Sequence, residues 1–481
     1  MSRRIDETTV MAPPEGSAGH ARGRVTPTMI LVIVCAGIIL ANLDLFVVNV
    51  ALPDIGRGLH DSSLSSLSWV INGYTIVYAA LLIPAGRLAD RYRQRDGFLL
   101  GVAIFTLASA ACGFAASLPM LVAFRLVQAA GAALLTPTSL SLVLAAYPEE
   151  RRAGAVRSWA AVGGVAAALG PVAGGLLLEA TWRAVFFVNV PIGLAAIVFG
   201  AWLLPRVPGH RVALPDPVGV LLIVLGVGAL SFGLVQGGTW GWASAGIIGA
   251  LAVAAAAIAL FVLHTLRHRN PLIDPGLFRD RNFSVASVVL MVFSGAFGGM
   301  LLSVVLWEQN AWGWSALRTG LAVAPGPIMV PVFSMLVAGR LIRRLGFPLV
   351  AAIGSALFGG GLIWWSVSVT LRPDYALGVL GGMLLTGIGV GLTLPTLIAA
   401  ATSSLPQKSA ASGSAAVNTF RQIGTAIGVA LLVAVIGTPR SPVAQLTAYD
   451  RGWIVLGVLA LAAAVTAVLL HHPSRAATDR T

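Results

Sequence analysis

Residues 28–50 read TMILVIVCAGIILANLDLFVVNV, 23 residues with one charge, Asp44. A run of about 20 apolar residues is the length that crosses a hydrocarbon core of roughly 30 Å. A charge inside such a run is expensive, so Asp44 marks both a membrane span and a place where something happens.

Thirteen further runs of this kind follow it. They lie at about 67–86, 97–115, 119–142, 155–178 and 185–204, then 217–236 and 243–264. The last six are about 282–305, 317–338, 347–369, 374–400, 409–436 and 452–470. Composition agrees with this count. The chain has 481 residues, of which 57% are apolar and 10% charged. An average soluble protein carries roughly 25% charge. Mean hydropathy is +0.88. A soluble enzyme, a disordered chain and a collagen-like fibre are excluded. The fold class is an all-α polytopic membrane protein with fourteen spans.

Net charge is +13, which in a soluble protein would point to nucleic acid. The positions of the charges say otherwise. With the N-terminal tail inside, 23 of the 31 basic residues fall on inner segments. Six fall on outer loops: Arg57, Arg183, Arg318, Arg372, Arg440 and Arg451. Arg125 and Arg421 fall within spans. This is the positive-inside bias, and it puts both termini in the cytoplasm. The basic charge orients the chain and meets membrane lipid rather than nucleic acid. Residues 1–27 are polar, with Arg3, Arg4, Arg22 and Arg24, and show no cleavable leader.

Two inner loops resemble each other. Gly86-Arg87-Leu88-Ala89-Asp90-Arg91 follows the second run, and Gly339-Arg340-Leu341-Ile342-Arg343-Arg344 follows the tenth, 253 residues later. At an offset of 258, Pro137-Thr138 answers to Pro395-Thr396, Pro148 to Pro406 and Gly170 to Gly428. Runs 1–6 and 9–14 are therefore two copies of one six-span unit. The expected organisation is a tail at 1–27, a first half at 28–204, a linker with two inserted helices at 205–281, a second half at 282–470 and a tail at 471–481. Paired six-helix halves are a transporter architecture with the substrate path near their interface.

Few side chains inside the spans carry chemistry. Asp44 and Arg125 each sit about six residues from the outer end of their run, hence about 9 Å deep at 1.5 Å per residue. Equal depth permits contact, directly or through Gln128. One reading is a protonatable Asp44 tuned by a nearby Arg or a bound cation. The other is a structural ion pair, or an acid wetted by an outer vestibule. Arg421 lies near mid-membrane and must face the bundle interior or water. It holds a carboxylate or tunes a proton site, or it braces helices through Gln422 and backbone carbonyls. Glu308, beside Trp307 at the outer end of the ninth run, binds a cation or proton, or is simply solvated there. Gly170, Pro171, Gly174 and Gly175 combine close packing with a kink.

What is missing also discriminates. The only Lys is Lys408, so no P-loop exists, and with no ATP site the energy would come from an ion gradient. No HExxH zinc motif or potassium-filter run appears, and the two cysteines, Cys35 and Cys112, make no disulfide framework. No cofactor, metal or catalytic residue is expected.

In this order the motifs resemble the major facilitator superfamily, in its fourteen-span drug:proton antiporter branch. Leu43-Asp44-Leu45-Phe46-Val47-Val48-Asn49-Val50-Ala51-Leu52-Pro53 is similar to that branch's first-span motif LDxTVVNVALP. Arg125-Leu126-Val127-Gln128-Ala129-Ala130-Gly131 resembles RxxQGxG of span 4, and Gly170-Pro171 with Gly174-Gly175 matches GPxxGG of span 5. Trp182-Arg183, Phe186 and Asn189-Val190-Pro191-Ile192-Gly193 resemble WRWIFxINxPxG. Asn418, Arg421-Gln422 and Gly424 resemble the span 13 motif. Phe46, Arg93, Gln94, Ala129 and Glu308 depart from the pattern. The resemblance implies export of an amphiphilic organic compound against entering protons, by a monomer in a bacterial cell membrane. It implies that Asp44 binds a proton or substrate cation and that Arg125 couples to proton transfer. It implies gating by Gly86, Asp90 and Arg91, and a seal at Gly170–Gly175. An importer of a small metabolite and a non-transporting sensor are the alternatives. Net accumulation in cells would favour the first, and ligand binding without flux the second.

Overall fold

The computed structural model describes residues 26–61, 63–205, 216–403, 405 and 407–470. The expectations for the tails, for most of the 205–217 connector, for Pro406 and for the side chains of Lys408 and Asp90 lie outside them. Every regular element among the described residues is helical. The first group is α1 (Pro27–Gly58), α2 (Leu64–Leu67), α3 (Trp69–Arg91), α4 (Gln94–Gly113), α5 (Leu118–Ala146), α6 (Glu149–Leu178), α7 (Ala184–Phe187) and α8 (Asn189–Leu203). Next come α9 (Pro217–Trp240) and α10 (Ala245–Arg267). The last group is α11 (Arg281–Leu306), α12 (Ala316–Val323), α13 (Pro325–Val332), α14 (Gly339–Ser368), α15 (Gly381–Ser403), α16 (Gln407–Ile436) and α17 (Pro442–Ala467). Three π-helical turns, Trp307–Ala311, Phe333–Ala338 and Tyr375–Leu380, interrupt this last group.

Local chemistry sets the ends. Thr26, Asp216 and Ser441 each accept a hydrogen bond from a first-turn amide, and each is followed by Pro at the first helical position. Two expected boundaries move. Helix α1 continues through Pro53 to Gly58, so Asp44 lies farther from the end of its helix than its run had implied. Helix α17 starts ten residues before 452, because the Ser441 cap and the burial of Tyr449 and Trp453 keep Asp450 and Arg451 helical. Arg451 is therefore exposed on a helix rather than in a loop.

Twelve stretches among the described residues are long and apolar enough to cross a membrane, where fourteen were expected. Helix α6 opens with Glu149, Glu150, Arg151 and Arg152, and only its Leu169–Leu178 segment stands as apolar. Ala316–Ser368 forms one 53-residue stretch in place of two. Inside it the chain turns at Gly346 with φ 79°, a conformation that glycine alone adopts without strain.

Packing repeats between the two groups. Helix α1 lies on α5, α6 and α8, as α11 lies on α15, α16 and α17. Helix α4 lies on α5 and α8, as α14 lies on α15 and α17, and α3 meets α5 as α13 meets α15. The groups join reciprocally, α3 against α16 and α6 against α12 and α13. Helices α9 and α10 pair with each other, and α9 rests on α3 and α16.

Candidate functional site

Asp44 sits in α1, 1% exposed. Opposite it, α5 presents Arg125 and Gln128, both fully buried, three residues apart and so on one helix face. The guanidinium Nη1 of Arg125 donates to Asp44 Oδ2 in an ion pair. It also donates to Gln128 Oε1 at 2.8 Å, and Gln128 Nε2 donates to Asp44 Oδ1 at 2.9 Å. Of the two contacts considered, direct and through Gln128, both are made.

Three more elements complete the cluster. Asn189, the first residue of α8, donates to Asp44 Oδ1 at 3.1 Å and to Ser109 Oγ of α4 at 3.0 Å. Ser109 in turn donates to the Phe186 carbonyl at 2.9 Å. Arg125 Nε donates to the Val70 carbonyl of α3 at 3.2 Å. The Arg125 guanidinium lies 4.1 Å from the centre of the Tyr74 ring, a cation–π contact. The Asp44 carboxylate thus accepts three hydrogen bonds in a place from which water is excluded. Asn189, Ser109 and Tyr74 were not singled out as site residues; Asn189 stood in a quoted motif, and a polar residue in an apolar run was the available signal. Asn72 carries the same signal. It is fully buried, and neither atom of its amide has a hydrogen-bond partner among the described residues.

Arg421 of α16 belongs to the other group. Its Nε is buried without a hydrogen-bond partner among the described residues, so bracing through backbone carbonyls is not what that atom does. It interacts electrostatically with Tyr78. Tyr78 hydrogen bonds to Thr136 at 3.1 Å and stacks on Tyr74 with ring centres 6.0 Å apart. A line of groups therefore runs from Asp44 and Arg125 through Tyr74 and Tyr78 to Arg421 in the second group.

The Gly-Pro segment of α6 has two faces. A Cβ on Gly174 would stand 3.3 Å from the Val47 carbonyl oxygen of α1. A Cβ on Gly175 would come within 2.6 Å of the Leu317 Cα of α12. Gly170 meets Phe46, and Pro171 is buried between. Helix α6 is thus pressed between the helix that carries Asp44 and the opposite group. Nearby, Gln309 Nε2 donates to the Val50 carbonyl at 2.9 Å, tying the end of α11 to α1. These contacts join the two groups near the end of α1 at Gly58, on the arginine-poor side.

On the arginine-rich face, a Cβ on Gly86 would meet Pro137 at ordinary contact distance, and Arg91 is exposed. Arg87, their neighbour, donates to the Pro271 carbonyl at 2.8 Å, fastening α3 to the connector before α11. Asp216, His264 and His268 gather close by, their ligand atoms within 4.8 Å of one another. His264 Nε2 lies 3.0 Å from both Asp216 oxygens. Burial raises the Asp216 carboxyl, but the Gly219 amide and His264 outweigh it and hold the group below its ordinary range. Asp216 lies 48 positions from His264, so no spacing signal tied it to the two histidines.

Of the two readings of Glu308, a cation or proton site and a solvated acid, its burial speaks against the second: it is fully buried, because the chain continues past Leu306 in a π-helical turn.

Comparison with known proteins follows the same line. The Major Facilitator Superfamily sequence profile matches residues 34–429. The methylenomycin A resistance protein of Bacillus subtilis is 35% identical over 415 residues, which is 85% of this chain and 88% of that one. The tetracenomycin C resistance and export protein of Streptomyces glaucescens is 34% identical over 418 residues, 86% of this chain and 76% of that one. The multidrug resistance protein Stp of Mycobacterium tuberculosis is 35% identical over 413 residues, 85% and 76%. Among solved structures, a bacterial homologue of the human drug peptide transporters PepT1 and PepT2 shares the fold. Its TM-score is 0.65 at 16% identity, covering 92% of this chain and 98% of that one.

Proposed function

This chain belongs to the Major Facilitator Superfamily and is a multi-pass membrane transporter, and from that premise we propose that it exports amphiphilic organic compounds, antibiotics among them, in exchange for protons. The named relatives that confer resistance support efflux rather than uptake. The observation that carries the proton is the Asp44 cluster. An intramembrane acid with three donors, one of them a cation, can take two arrangements. Ionised, it holds Arg125, Gln128 and Asn189 together. Protonated, it gives up the ion pair, and Arg125 must turn to other acceptors. Because α1, α3, α4, α5 and α8 all contribute, that change reaches most of the first half.

In this reading the chain is two six-span halves, 28–204 and 282–470, with two inserted helices between them. The fourteen spans leave both termini in the cytoplasm, and one monomer suffices. Arg421 senses the Asp44 state through Tyr78 and Tyr74. The Gly170–Gly175 segment seals the outer side, and Asp90 with Arg91 gates the inner side. Substrate enters by alternating access between the halves. The test is accumulation of ethidium and of antibiotics inside inverted vesicles, with and without an imposed proton gradient. Gradient-driven movement is expected; movement that ignores the gradient contradicts the reading.

A further inference from the structure

The Asp44 cluster satisfies its carboxylate. Glu308 is different. Its residue is 0% exposed, and neither carboxyl oxygen has a hydrogen-bond partner among the described residues. It lies in the π-helical turn Trp307–Ala311, a distortion that concentrates at functional positions. Its neighbour Gln309 makes the bond to Val50 that ties the two groups on the arginine-poor face. An isolated carboxylate in such a place costs far more than a neutral acid.

The surroundings offer no substitute for water. Helix α12 brings Arg318, which faces Glu308 but is exposed and rests 3.9 Å over the Trp314 ring. Tyr375 also faces it, its hydroxyl already donating to the Ala322 carbonyl at 2.8 Å. From α17 comes Tyr449, its ring centre 5.2 Å from that of Trp307, which brings no opposite charge. From α1 comes only the Val50 carbonyl, and it is taken by Gln309.

We propose that Glu308 is a protonation-dependent latch of the transporter, a neutral acid while the arginine-poor face is closed and an ion when that face opens, exchanging its proton with water on that side alone. Opening breaks the Gln309–Val50 bond, admits water to the turn and lets Arg318 approach. The carboxyl then releases its proton to that side. On closing, a proton must be taken up again before the turn can dry. The O–H bond of the carboxyl breaks and re-forms with water as the acceptor and donor, and no other reactant is needed. This deepens the proton-coupled reading above and rests on it for its place in the cycle.

The test is infrared spectroscopy of the full chain in lipid bilayers at neutral pH. The wild type shows a protonated-carboxyl C=O band that Glu308→Gln lacks. Gly320→Trp supplies the open state, since a Cβ there would come within 2.9 Å of the Pro171 carbonyl carbon and the helices must part. Spin labels on Arg57 and Arg372 follow that separation. With the labels apart, the Glu308 band is lost. Wild-type and Glu308→Gln spectra that coincide would overturn the proposal, as would a band that persists with the labels apart. Gradient-independent export with the band present would sink the exchange reading and leave the buried acid standing. Gradient-driven export with no band would sink this proposal alone.

Discussion

Asp44 and Arg125 stand 81 positions apart in the chain and form a fully buried ion pair between α1 and α5. Gln128 bonds to both partners, so the three side chains close a ring. The pair is the one place among the described residues where opposite charges meet wholly inside the helical bundle.

Removing one member leaves the other uncompensated. Arg125→Ala is expected to lower stability by about 3–5 kcal/mol, the usual cost of a stranded buried charge. Asp44→Asn combined with Arg125→Gln should cost less than the sum of the two single changes. A double-mutant cycle on thermal unfolding in detergent measures this; strict additivity would show that the pair does not act as a unit.

Gly175→Leu should prevent closure of the arginine-poor face. A Cβ there already comes within 2.6 Å of the Leu317 backbone, and a larger side chain can only push α6 and α12 apart. Spin labels on Arg57 and Arg372 are expected to separate, with transport lost and membrane insertion retained. Labels that keep their wild-type distance would remove Gly175 from the seal.

Arg421→Gln should uncouple without unfolding, since the buried Nε of Arg421 gives up no hydrogen bond. Gradient-driven ethidium efflux is expected to fall at least tenfold, while Tyr78→Phe gives a smaller loss. Efflux equal to the wild type in Arg421→Gln would break the line from Asp44 to the second half.

The spans were legible because a bilayer demands long apolar runs, and Asp44, Arg125 and Gln128 because polar groups stand out inside them. The partners of Asp44 were harder to see. Asn189 is 145 positions away and Ser109 is a small residue common in membrane helices. Only the fold brings them to one carboxylate. The burial of Glu308 was hidden for a different reason. An acid beside Trp307 at a run's end looks interfacial, and nothing local announces that a π-helical turn carries it inward. Gly346, similarly, reads as one glycine among 55 until its φ of 79° is known.

The Asp216–His264 latch gives a pH test. The native carboxyl lies below its ordinary range, chiefly because the Gly219 amide and His264 outweigh burial. Its stabilising effect is therefore fully present above the unfolded-state value of about 3.9 and is lost as pH falls through the native one. Asp216→Asn keeps a capping side chain but removes the charge, and should cost about 0.3–1 kcal/mol at neutral pH, the usual worth of a negative charge at a helix N-terminus, and little in strong acid. Thermal unfolding against pH checks this; a cost independent of pH would contradict it.

The central claim is exchange of substrate for protons through Asp44. Purified protein in liposomes, with a pH-sensitive dye inside and ethidium as the transported probe, tests it most directly. Ethidium moving one way should drive protons the other way, and Asp44→Asn should abolish that proton flux while inserting normally. Ethidium movement without proton flux in the wild type, or proton flux unchanged in Asp44→Asn, would contradict the account.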